Sequence, residues 1–155
     1  LFAVVCGINE YESQEFSTLR SAVQDAAAVV DLLVSNYRVP RDQIVSLINE
    51  SASRSGIISA LDELSTDPRI RPGDPILFYF AGHGSQIDPP EDWESSEPGT
   101  KIQVLVPQDY CSEIGLEVPG IPDHTIRLLL DKIAHYKGNN ITVILDCCHA
   151  ASGTR

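Results

Sequence analysis

Apolar residues along this chain fall into short runs, separated by stretches in which they recur every three or four positions. Residues 2–8 (FAVVCGI) are almost continuously apolar and predict a buried strand. Residues 18–37 carry Leu19, Ala22, Val23, Ala26, Val30, Leu33 and Val34 on one helical face, with Ser17 or Thr18 placed to cap the helix and Pro40 to stop it. QIVSLI at 43–48 predicts a second strand, and residues 54–66 a helix that turns Ile57, Ala60, Leu61 and Leu64 inward. The turn Arg71-Pro72-Gly73-Asp74-Pro75 leads into a third strand, ILFYFA at 76–81.

Residues 82–100, rich in Gly, Pro, Ser and acids, predict a long loop, and 102–106 (IQVLV) a fourth strand. Residues 110–121 are irregular in pattern. Pro122-Asp123 then opens a helix carrying Ile126, Leu129, Leu130 and Ile133, closed by Gly138, and ITVIL at 141–145 predicts a fifth strand. Strands alternating with helices, and strands apolar on both faces, imply an α/β fold with a mostly parallel sheet covered on both sides. The fourth strand is expected to return to that sheet, which makes residues 1–155 one domain.

Composition narrows the classes. At 155 residues with 43% hydrophobic and 21% charged positions, the chain has the balance of one globular domain. Its net charge of −11 argues against binding a phosphate backbone, which needs clustered Lys and Arg. No apolar run approaches the length that spans a bilayer. The start, LFAVVCGINEY, lacks a charged leader, and no Met occurs, so the chain reads as a segment cut from a longer protein. Cys6, Cys111, Cys147 and Cys148 match no zinc spacing and read as thiols of a reducing compartment, consistent with a cytoplasmic or nuclear protein.

In open parallel sheets, sites form beyond the carboxyl ends of the strands. Gly82-His83-Gly84-Ser85 follows the third strand, and Asp146-Cys147-Cys148-His149 follows the fifth. If those strands are neighbours, an imidazole and a thiol face each other, as cysteine nucleophilic catalysis requires. The glycines beside His83 let a substrate backbone approach, and the amides of Gly84 and Cys148 are candidates to bind a developing oxyanion. A Gly-His-Gly turn or a cysteine pair alone is more often structural; the two at matching strand ends favour a site. No Gly-x-Gly-x-x-Gly follows the first strand, which disfavours a nucleotide-binding α/β protein.

YFAGHGSQ (79–86) and ILDCCHA (144–150), with VCGINEY (5–11), LRSAVQDA (19–26) and VLVPQDY (104–110), resemble the caspase/metacaspase superfamily of C14-type cysteine peptidases, closest to metacaspase-like proteins of fungi and plants. The resemblance covers nearly the whole chain. It implies a caspase-like three-layer α/β/α sandwich and a p20-like large-subunit region, with a p10-like C-terminal region of the same chain as partner. It makes His83 the general base and acid and Cys148 the nucleophile of an endopeptidase acting through a thioester. It makes Asp25 and Asp146 the walls of a primary pocket for Arg or Lys; on residues alone, Asp25 reads as a solvated helix position and Asp146 as a strand-end cap. Ala22, Ala81 and Ala150 depart from the family pattern, and motivate the alternative of a weakly active interaction module in a larger protein. Many metacaspases place an acidic cluster before the fourth strand. Here Asp88, Glu91, Asp92, Glu94 and Glu97 read as a solvated loop instead, so no metal site is expected, with calcium left open as an activator. A cell-death role is an association of the family alone.

Overall fold

The computed structural model describes residues 1–89 and 101–147. Among these residues seven strands and three α-helices run in the order β1 (Phe2–Gly7), α1 (Ala22–Ser35), β2 (Ile44–Ile48), α2 (Arg54–Thr66), β3 (Ile76–Ala81), β4 (Gly84–Ile87), β5 (Ile102–Leu105), β6 (Ile121–Pro122), α3 (Asp123–Lys137) and β7 (Ile141–Asp146). The main sheet has the order β2-β1-β3-β7 and is parallel throughout. Its alternating side chains divide the core in two. Phe2, Val4, Cys6, Phe78 and Phe80 pack with α2 and α3 on one face. Ala3, Val5, Leu77, Tyr79 and Ala81 pack with Ala22, Ala26, Val30 and Leu33 of α1 on the other. This is the three-layer α/β/α sandwich expected from the sequence.

The strand expected to rejoin this sheet does not. β5 pairs antiparallel with β4 and β6 in a separate three-stranded sheet. The place beside β3 is taken by β7, which pairs with it in register from Ile76↔Ile141 to Ala81↔Asp146. β4 arises inside the segment expected to be loop: GSQI returns from His83 and forms a hairpin with β5. The irregular 110–121 stretch is held by a bridge between Cys111 and Val118 and ends in β6.

α1 also begins later than its periodicity predicts. Neither Ser17 nor Thr18 caps it; the cap position is Ser21, whose side chain makes no capping bond. The cap comes instead from the exit of β1. Asn9 Oδ1 accepts from the Val23 amide at 3.2 Å, and the Asn9 carbonyl accepts from the Leu19 amide at 2.8 Å. A donor in the first turn is thus satisfied from a distant residue, and residues 10–20 are released to run across the top of the sheet. At the far end Val34, expected inward, is exposed. The β1–α1 contact is tight: a Cβ on Gly7 would lie 2.6 Å from the Ala26 Cβ and 2.8 Å from the Ala22 carbonyl. No described helix is long and apolar enough to cross a membrane.

Candidate active site

Parallel pairing sends β3 and β7 out of the sheet at the same edge. The last rung joins Ala81 to Asp146, and the Gly82 amide donates to the Asp146 carbonyl at 3.3 Å. Gly82-His83 therefore leaves one strand beside Cys147, the residue that leaves the other. Cys148 lies outside the described residues, so of the expected dyad the structure describes His83 and the thiol-bearing residue immediately before the expected nucleophile.

His83 is held by its backbone amide, its Nε2 and its ring face, through contacts that the sequence reading did not anticipate. Its backbone amide donates to the Tyr11 hydroxyl at 2.7 Å. Its Nε2 lies 2.8 Å from the Ser17 carbonyl oxygen. A carbonyl only accepts, so Nε2 carries a proton, and in the neutral imidazole that leaves the lone pair on Nδ1. The imidazole also stacks obliquely on Tyr11 and Phe16, with centroids 5.0 and 5.4 Å away, and Phe16 in turn meets Tyr110 edge-on at 5.2 Å. Ser17, expected as a helix cap, thus serves the histidine through its main chain. The only sequence hint of Tyr11 was its place in the VCGINEY stretch.

Gly82 makes the Tyr11 contact possible. A Cβ there would sit 2.8 Å from the Tyr11 hydroxyl and 3.0 Å from the Phe80 ring. Burial pushes the Tyr11 phenol up to about 12, with the nearby Cys147 thiol adding to the rise and the His83 amide opposing it. Tyr11 is therefore a neutral hydroxyl at any physiological pH. On the β4 side, the His83 carbonyl accepts from the Val106 amide at 3.0 Å. Antiparallel alternation then makes Gly84↔Leu105 a non-hydrogen-bonded pair, and the Gly84 N–H points away from β5.

The two expected pocket carboxylates converge on one phenol. Asp146, at the end of β7, shares the α1 face with Ala81, its partner in register. Asp25 stands in the first turn of α1, where a carboxylate also complements the helix dipole. Tyr79, unassigned by the sequence reading, donates its hydroxyl to Asp146 Oδ2 at 3.2 Å. Its phenol is pushed up to about 12, first by burial, then by the charge and hydrogen bond of Asp146, and further by Asp25. Ala22 and Ala81, which depart from the family pattern, are both buried on this face.

The remaining expectations fall elsewhere. Cys6 lies in the middle of β1, where burial pushes its thiol from 9.0 up to about 12 and leaves it unreactive. Asp88 pairs with Lys101, while Glu91, Asp92, Glu94 and Glu97 lie outside the described residues. Among the described residues no cluster of His, Cys, Asp and Glu is arranged to hold a metal ion. Beside Gly84 and Cys147 an apolar groove of about 280 Å³ opens between β7, α3 and β5, lined by Leu105, Ile126, Leu130, Val143 and Leu145.

Comparison with known proteins gives the family of the chain and agrees with its fold. A metacaspase, peptidase C14 domain family model matches residues 2–154. Metacaspase-3 of Arabidopsis thaliana is 31% identical over 158 residues, covering 98% of this chain and 40% of its own length. Metacaspase-1 of Plasmodium falciparum is 29% identical, with 97% of this chain and 24% of its own length covered. The chain thus spans two fifths or less of these curated relatives. Protein GSU0716 of Geobacter sulfurreducens, at 19% identity, has the same fold, with a TM-score of 0.70 over 96% of this chain and 50% of its own. The chain belongs to the metacaspase, peptidase C14 domain family.

Proposed function

We propose that the protein is a cysteine endopeptidase that cleaves after Arg or Lys, with His83 and Cys148 as its dyad. The observation that carries this reading is the β3–β7 register, which brings the His83 turn and Cys147, the residue before Cys148 in the sequence, out of adjacent strands at one edge. With Nε2–H held by the Ser17 carbonyl, His83 Nδ1 is the nitrogen left to take the thiol proton. The Cys148 thiolate then attacks the scissile carbonyl carbon. The Gly84 and Cys148 amides donate to the resulting oxyanion. The imidazolium returns its proton to the leaving amine as the C–N bond breaks, which gives a thioester. Water, deprotonated by His83, attacks that thioester; the acid leaves and the thiol is restored.

Asp25 and Asp146 supply the selectivity. Two carboxylates beside one pocket favour a guanidinium or ammonium through charge-assisted hydrogen bonds and disfavour an acidic side chain. The substrates are therefore proteins or peptides with a basic residue before the scissile bond. A p10-like region further along the same chain covers the outer edge of β7; the exposed Val143, Ile144 and Leu145 and the greater length of the relatives support this.

The test is peptide cleavage by the protein in its full natural length, with Arg, Lys or Asp before the scissile bond and Cys148→Ala alongside. Cleavage after Arg and Lys that is lost in Cys148→Ala is the expected result. Cleavage after Asp overturns the pocket assignment and leaves the nucleophile. Cleavage unchanged in Cys148→Ala overturns the dyad. No cleavage by a folded protein supplied with calcium favours an interaction module instead.

A further inference from the structure

Asp146 is the last residue of β7, and its backbone pairing with Ala81 does not by itself fix the rotamer of its carboxylate. Tyr79 does. Its ring is 5% exposed, packed in the α1-side core together with Ala22, Ala26 and Ala81. It lies two residues back on the neighbouring strand, so the long phenol reaches up along the sheet to the strand end. There its hydroxyl donates to Asp146 Oδ2 at 3.2 Å, and Oδ1 is the second acceptor of the same carboxylate. Asp25, in the first turn of α1, adds in smaller measure to the rise of the same phenol. A buried ring locked by packing is a rigid post against which the Asp146 carboxylate can be held.

We propose that Tyr79 is a positioning residue of the basic-residue pocket: it holds the Asp146 carboxylate in the orientation that lets Asp25 and Asp146 share one guanidinium, and so favours Arg over Lys. The inference rests on the reading of Asp25 and Asp146 as that pocket. The discrimination follows from the two cations. A guanidinium is a planar fork whose donors have fixed directions, and bridging two carboxylates demands that both keep their places. An ammonium is a compact charge with rotatable donors and tolerates an acceptor that wanders. Freeing Asp146 therefore weakens the hold on Arg more than the hold on Lys.

Steady-state cleavage of matched Arg and Lys peptides by the full-length protein tests this, comparing the unsubstituted enzyme with Tyr79→Phe and Asp146→Asn. Tyr79→Phe keeps the packed ring and removes only the hydroxyl, and thermal unfolding of each variant confirms that it is folded. The expected result for Tyr79→Phe is a KM for the Arg peptide raised about tenfold, the size of one hydrogen bond to a charged group, with kcat within about twofold. The Lys peptide changes less than about threefold, so the Arg-to-Lys ratio of kcat/KM narrows. An equal loss on both peptides, a loss confined to kcat, or no loss overturns the role of Tyr79. Asp146→Asn separates the two levels: it is expected to weaken both peptides strongly. If it leaves both unchanged, the pocket reading itself fails, and the inference with it.

Discussion

β3 and β7 are neighbours of equal length in one parallel sheet, both rich in large apolar residues, and they end at the same site. Every residue of β3 is buried. β7 is exposed from Thr142 to Asp146, with Val143 at 38% and Leu145 at 51%. The difference lies in what surrounds each strand. β3 has β1 on one side, β7 on the other, α1 above and α2 with α3 below. Among the described residues β7 pairs with β3 alone, and α3 stands far enough away to leave a groove. Apolarity of a strand therefore does not by itself report burial, and the half of the site that carries the thiol sits on the strand that the described residues leave open.

Substitutions at matched positions break the comparison most sharply. Phe78 and Val143 are partners in register on the α2/α3 face. Phe78→Ala is expected to cost about 3–5 kcal/mol by urea unfolding, because a fully buried ring leaves a cavity. Val143→Ala is expected to cost under about 0.5 kcal/mol in the 155-residue chain. In the longer protein the cost should rise to about 1 kcal/mol or more if a further segment covers β7. An equal cost in both settings contradicts a covering segment.

The next effect lies at the β3 exit. Tyr11→Phe removes the acceptor of the His83 amide and should cost about 1–2 kcal/mol of stability. It should also lower kcat more than it raises KM, since it loosens the histidine and not the substrate pocket. A change in KM alone would contradict that assignment. A smaller effect concerns the buried thiol of β1. Cys6 titrates at 9.0 when unfolded and near 12 when folded, so the native state holds the proton more tightly. Its contribution is complete below pH 9 and is lost as pH rises from 9 towards 12. Cys6→Ala should flatten that part of the stability profile, read from denaturation midpoints across the range. The smallest expected effect is Leu145→Lys in the 155-residue chain. Stability should move by less than about 0.5 kcal/mol, while self-association, measured by sedimentation, should fall because a charge blunts an open apolar edge.

The same contrast explains what the sequence discloses. α2 and β3 are legible to the residue because local periodicity and flanking turn residues define both. α1 is misread at its start because its cap is Asn9, far away in the chain. β4 is too short to show a strand pattern within a Gly- and Ser-rich run, and the sheet β5 joins depends on partners that no local pattern names. At the site, residue type alone singled out His83 and Cys147, which the structure brings to neighbouring strand ends, whereas Cys148 lies outside the described residues. Tyr11 and Tyr79 were not, since each acts through a contact about 70 positions away, 72 for Tyr11 with His83 and 67 for Tyr79 with Asp146.

The central claim is that the thiol after β7, activated by His83, attacks peptides with a basic residue in place. An arginyl chloromethylketone reports it directly, because the thiolate displaces chloride and leaves a stable thioether. Peptide mapping by mass spectrometry of the labelled full-length protein should place the adduct on Cys148, and His83→Ala should abolish it. An adduct on Cys6, Cys111 or Cys147 in its place, or labelling of Cys148 that is indifferent to His83→Ala, would contradict the account.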